Sequence, residues 1–132
     1  MDAATRDFVR SRADHRCEYC FLPQEYTDLT HHIEHVVARQ HGGSDAIGNL
    51  ALACQRCNLH KGPNLTGIDP LTGETVALFH PRRDQWIDHF DFDGVRLRGL
   101  TAVGRATVAL FAMNDARRVE LRSELFNRGE RL

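Results

Sequence analysis

Lysine is almost missing from this chain. Lys61 is the only one among 17 basic residues, which face 18 acidic ones for a formal net charge of −1 at pH 7. No global positive field therefore announces a nucleic-acid binder, and any such contact must come from local charge. Basic and acidic residues are spread evenly over the two halves, so no basic tail exists either. The preference for arginine suits bidentate phosphate or carboxylate contacts, and codon bias explains it equally well. Long apolar runs are absent too: nothing approaches the roughly 18 consecutive apolar residues of a membrane span, and Met1–Asp7 lacks the apolar stretch of a secretory signal. A cytoplasmic protein with no membrane role is expected. Repeats and low-complexity segments are likewise missing. What remains, 132 residues with 42% hydrophobic and 27% charged content, predicts one folded domain over residues 1–132.

The four cysteines form two pairs, Cys17-x-x-Cys20 and Cys54-x-x-Cys57, separated by 33 residues. Each C-x-x-C sets two sulfurs on one tight turn where both reach a single ion, and four thiolates suit tetrahedral zinc. Structural disulfides require an oxidising compartment, for which the N-terminus gives no sign, so zinc is the favoured reading.

Around the knuckles the pattern is mixed. Ala4, Phe8, Val9 and Ala13 recur at helical spacing, predicting an amphipathic helix over residues 3–15 that packs on the metal core. The β-branched stretch from Leu29 to Val37 predicts a strand. Arg39 to Asn49 reads as a glycine-punctuated loop, Leu50–Ala53 as a second strand, and Gln55–Lys61 as a short helix ended by Gly62. Downstream, Asp69–Glu74 reads as a turn, Val76–Phe79 as a strand, and residues 85–90 and 95–97 as aromatic and apolar packing. Residues 102–113 and 115–127 read as two helices with Asn114-Asp115 as break and cap. The predicted class is α+β, with a core at about 14–65 and a strand-and-helix extension over about 66–132.

His31, His32, His35 and His41 lie between the knuckles, and His60 just after them. One zinc joining the pairs would clamp the enclosed hairpin and bring Glu34 and His35 near Asn58. Adjacent strand residues point to opposite faces, so Glu34 and His35 share a site only where the strand ends or distorts.

The run Cys17-x-x-Cys20, His32-Ile33-Glu34-His35, Gly42-Gly43, Asn49-Leu50, Cys54-x-x-Cys57-Asn58-x-x-Lys61 resembles the HNH endonucleases in their zinc-stabilised four-cysteine form. The resemblance covers residues 17–61 closely. Gly104–Val108 and Met113-Asn114 are similar to the tails of small stand-alone members. The resemblance implies a small ββα-metal (His-Me finger) core, clamped by the cysteines and flanked by helices, that hydrolyses phosphodiester bonds in DNA. It implies His35 as general base and Glu34 and Asn58 as ligands of a catalytic Mg²⁺ or Mn²⁺, beside structural Zn²⁺ on Cys17, Cys20, Cys54 and Cys57. Asn49 matches the asparagine that holds the loop and orients the base, with an ordinary loop-closing role as the alternative. His32 matches the first histidine and either assists metal or phosphate binding or packs against the zinc clamp. Arg56 and Lys61 are candidate phosphate contacts.

Two positions depart from the common pattern: Glu34 stands where aspartate is more frequent, and Ala38 where proline is common. No recognition module accompanies the motif, which leaves targeting to low intrinsic specificity or to a partner protein. Two other readings compete. A non-catalytic zinc module for nucleic acid or protein needs only the cysteines, and a redox protein would cycle its C-x-x-C pairs without tightly held zinc.

Overall fold

Asp2 starts the first helix: its carboxylate accepts the Thr5 amide at 2.8 Å, the N-cap arrangement that satisfies one of the unpaired donors of the first turn. In the computed structural model, which describes residues 1–132, helix α1 runs Ala3–Arg12. It buries Val9, which forms an apolar cluster with Leu50 and Leu52, with Ala13 and Ile33 packed alongside. The arginines of its last turn reach across to backbone carbonyls, Arg10 to His31, and Arg12 to Ile47 and Leu50 at 2.9 and 2.6 Å. The expected packing of this helix on the core is realised by both kinds of contact.

The predicted hairpin forms from β1 (His32–His35) and β2 (Leu50–Ala53), paired antiparallel with His35 opposite Leu50 and His32 opposite Ala53. Every residue of β2 is buried. Helix α2 (Gln55–Lys61) follows at once, ends at Gly62 as predicted, and completes a strand–strand–helix unit. The first strand is shorter than the 29–37 stretch its composition suggests. Before it, Gln24 holds the Leu29 carbonyl and the His31 amide. After it, Asn49 takes both polar groups of Val37 at 2.8 and 2.9 Å, and Lys61 donates to the Val36 carbonyl at 2.8 Å. Side chains thus satisfy backbone groups that a longer ladder would have paired.

Two glycines shape the loop that returns from β1 to β2. Gly42 sits at φ +88°, and a Cβ on Gly43 would stand 1.7 Å from the Val37 carbonyl oxygen, so the backbone closes against the end of β1 only without side chains there.

The chain divides into two compact units, one of residues 1–65 and 80–84, the other of residues 66–79 and 85–132. In the second unit, β3 (Thr66–Ile68) and β4 (Thr75–Ala77) form one hairpin, and β5 (Phe90–Asp93) and β6 (Arg96–Gly99) another, which follows the single turn of α3 (Trp86–His89). The strand read from Val76–Phe79 is therefore Thr75–Ala77, and the packing segments around residues 90 and 97 are a hairpin. Helices α4 (Ala102–Leu110) and α5 (Ala116–Asn127) are capped by Thr101 and Asp115, the latter at the predicted break. Asp69 in the β3–β4 turn is fully buried and takes Arg105 of α4 in a two-pronged pair at 2.9 and 2.8 Å. Asn114 clasps both the amide and the carbonyl of Leu97 at 2.8 and 2.7 Å. Phe79, Trp86, Phe90 and Phe92 make a continuous aromatic cluster that Phe126 joins through Phe92. No helix is long and apolar enough to cross a membrane.

Candidate metal centre and candidate active site

The two knuckles meet. All four cysteines are buried, and their sulfurs lie within 4.8 Å of one another. Four zinc–sulfur bonds of about 2.3 Å in tetrahedral geometry require sulfurs about 3.8 Å apart. Cys20 Sγ and Cys54 Sγ are separated by 3.7 Å, which fits that value and is far too long for a disulfide of about 2.05 Å. Burial, first of all, pushes the Cys17 and Cys57 thiols well up from their ordinary range, so thiolates here need a cation to compensate them. The cluster is thus able to hold zinc. Local backbone stitches it to the hairpin: the Glu18 amide donates to the Leu52 carbonyl at 2.8 Å, and the Leu52 amide donates to the Glu18 carboxylate at 2.8 Å. Arg82 pairs with the other Glu18 oxygen.

Beside this centre, Glu34, His35 and Asn58 line one solvent-open depression of about 420 Å³ together with Ile33, Arg39 and Pro63. Glu34 and His35 are both paired within β1, opposite Ala51 and Leu50, and both line the depression where that strand ends, while α2 supplies Asn58. The amide side chain of Asn58 makes no hydrogen bond within the chain.

Glu34 is the most enclosed of the three. It is 6% exposed, accepts the hydroxyl of the fully buried Tyr19 through Oε1, and faces the Lys61 ammonium at 3.3 Å through Oε2. Burial raises its pKa, against the opposing pull of Lys61 and Tyr19. The Tyr19 hydroxyl is itself pushed well up by burial and by the Glu34 charge. Lys61, expected as a solvated or phosphate-facing charge, is only 2% exposed and is spent on Glu34 and on the Val36 carbonyl.

His35 Nε2 lies 2.7 Å from Asp45 Oδ1, and that same oxygen accepts Arg39 Nη2 at 2.7 Å. Asn49, the candidate for orienting the ring, instead holds backbone: Val37 on both polar groups and the Ser44 carbonyl at 2.9 Å. His32 is exposed and pairs with Gln55 at 2.6 Å, away from the depression's lining. Sequence reasoning missed Asp45 and Tyr19. Tyr19 sits inside the first knuckle, where its large apolar ring beside two cysteines was the available signal; Asp45 carries none, being one acidic residue in a polar loop.

For a hydrated divalent ion the donor set is adequate. The Glu34 carboxylate keeps unused lone pairs beyond its two bonds, Asn58 offers a free oxygen, and Mg²⁺ characteristically completes its shell with water and phosphate oxygens.

Residues 17–64 match the model of the HNH endonuclease family. No curated protein matches the chain, and no solved structure does.

Proposed function

We propose, from the match of residues 17–64 to the HNH endonuclease family model, that the chain hydrolyses phosphodiester bonds in DNA, with His35 as general base and Glu34 and Asn58 as holders of a divalent ion. The observation that carries this reading is the shared depression: the residues lining one solvent-open surface include a histidine, a carboxylate and an amide, His35, Glu34 and Asn58, the last of which follows Cys57 of the cysteine cluster. Imidazole, with an ordinary pKa near 6.5, suits removal of a proton from an attacking water at neutral pH. When bound, Mg²⁺ or Mn²⁺ supplies Lewis-acid stabilisation of the charge that builds on the phosphate and the leaving oxygen. Glu34, held by Tyr19 and Lys61, and Asn58, carried on α2, supply the oxygen donors in this reading. The depression is open rather than enclosed, which suits a polymer backbone better than a small molecule.

Nicking of supercoiled plasmid tests this. His35→Ala loses roughly 10²–10⁴-fold in rate with zinc content and fold retained, and raising Mn²⁺ does not restore it. Asn58→Ala recovers part of its defect at high Mn²⁺, because what it loses is affinity for the ion. Near-wild-type cleavage by well-folded His35→Ala, or undiminished cleavage in excess EDTA, refutes the proposal.

One observation favours a second reading, a zinc module that binds nucleic acid or protein without cleaving. Both Glu34 oxygens already have partners within the chain, as in a purely structural buried pair. Retention of DNA without any metal-dependent nicking is the outcome that selects it.

A further inference from the structure

The loop between β1 and β2 contributes one side chain to the ring of His35, and it comes from Asp45. We propose that Asp45 is a positioning residue for His35: its carboxylate accepts the Nε2 proton and leaves Nδ1 as the ring nitrogen with the free lone pair. This rests on the assignment of His35 as the base.

Three observations support it. An ionised carboxylate can only accept, so a 2.7 Å contact obliges Nε2 to be the proton-bearing nitrogen. Asp45 is held in its ionised form, its pKa lowered first by the bond from His35 and then by the charge of Arg39. Its place relative to the ring is also fixed. Asn49 Nδ2 bridges the Ser44 carbonyl, one residue before Asp45, and the Val37 carbonyl, two residues after His35, at 2.9 Å each. Gly43 closes the same loop by donating to the Ala38 carbonyl at 3.0 Å. Asn49 thus acts on the ring in two steps, by setting the loop that presents Asp45, although it does not touch the imidazole.

Arg39 shares the Asp45 oxygen but is largely exposed, its side chain 68% accessible at the rim of the depression. It serves as an internal contrast: a cation there can meet a phosphate, whereas Asp45 meets the ring.

The test uses the full-length, zinc-loaded protein with Asp45→Ala, Asp45→Glu, Arg39→Ala and His35→Ala. Plasmid-nicking kinetics at saturating Mg²⁺ give kcat and KM, and long-range ¹⁵N–¹H correlation spectra give the state of the His35 ring, assigned by its disappearance in His35→Ala. Asp45→Ala is expected to lose about 10- to 100-fold in kcat, the usual worth of a group that orients a functional imidazole, with KM and zinc content unchanged. Asp45→Glu recovers part of that loss. In the wild type the two ring nitrogens are widely separated in ¹⁵N shift with the proton on Nε2, and in Asp45→Ala the separation narrows as the tautomers mix. Arg39→Ala raises KM and leaves the ring signals in place. Wild-type kcat together with unchanged ring signals in folded Asp45→Ala overturns the proposal. Wild-type cleavage by His35→Ala overturns the base assignment instead, and the ring signals still decide whether Asp45 holds the histidine. If no variant cleaves, an unchanged ¹⁵N separation in Asp45→Ala is by itself sufficient to reject it.

Discussion

Replacing Lys61 by methionine removes one charge from a closed environment and leaves its partner behind. The ammonium lies 3.3 Å from Glu34 Oε2 and 2.8 Å from the Val36 carbonyl oxygen, with both charged residues almost wholly buried. At an effective dielectric of about 20, opposite charges at this distance attract by about 5 kcal/mol, part of which offsets the desolvation of both groups. Methionine fills most of the volume, so the cost is electrostatic: a buried carboxylate with only the Tyr19 hydroxyl, and an unpaired carbonyl. Lys61→Met should lose about 3–5 kcal/mol at neutral pH, read by urea titration followed by far-UV circular dichroism at fixed free zinc. The loss must depend on pH. Burial already lifts the folded pKa of Glu34 above its ordinary 4.5, and without Lys61 it rises further, so the folded chain holds a proton that the unfolded chain releases. Destabilisation is therefore complete above the folded pKa and fades as pH falls toward 4.5, leaving about 1–3 kcal/mol for the Val36 carbonyl. In the double variant with Glu34→Gln the losses should fall short of additivity by about 2 kcal/mol. A neutral-pH loss below about 1 kcal/mol, or full additivity, refutes the assignment of a coupled buried pair.

Further outcomes follow from other parts of the molecule. Each chain should carry one zinc, and a strong chelator should unfold residues 1–65, since the apolar cluster of Val9, Leu50 and Leu52 is small beside the roughly 10 kcal/mol or more that a structural zinc supplies; zinc-free protein with a wild-type amide-exchange pattern there would contradict this. Arg105 holds the Asp69 carboxyl down at about 2, so the pair's stabilisation is complete above the ordinary 3.8 and disappears as pH falls through 2. The gap in melting temperature between wild type and Asp69→Asn should accordingly close over that window, and a constant gap argues against it. Gly104→Ala should cost more than about 2 kcal/mol in thermal unfolding, because its Cβ would stand 2.1 Å from the His89 carbonyl oxygen; a neutral substitution would show that this backbone can shift.

The four-cysteine cluster was legible in the sequence because its members are chemically distinctive and their spacing within each knuckle is set by one turn. The strand–strand–helix order around it was legible from the β-branched and apolar runs on either side of a glycine-punctuated loop and from the stretch free of glycine and proline that ends at Gly62. The length of β1 was not, because Gln24, Asn49 and Lys61 pair its flanking backbone from positions that no periodicity marks. Phe90–Asp93 carries an open alternation, Phe-Asp-Phe-Asp, and the two-residue loop Gly94-Val95 that follows has its glycine at φ +61° in the first loop position, which together mark the β5–β6 hairpin. Thr66–Ile68 carries no such signal, with Gly67 at its centre. In the candidate site, the motif resemblance marked His35, Glu34 and Asn58. Their partners Tyr19, Asp45 and Lys61 depend on distances that only the folded chain defines.

The segment His80–Asp84 belongs to the same compact unit as residues 1–65, with Arg82 paired to Glu18 of the first knuckle. The backbone thus passes between units at residues 65, 79 and 84, and no single cut releases one from the other. The matched stretch 17–64, excised alone, would also lack Val9 and Arg82. A laboratory fusion of the cysteine-bearing unit therefore has to carry the segment woven through it, and a minimal fragment of that unit has to be sought by grafting residues 80–84 back rather than by trimming from the C-terminus.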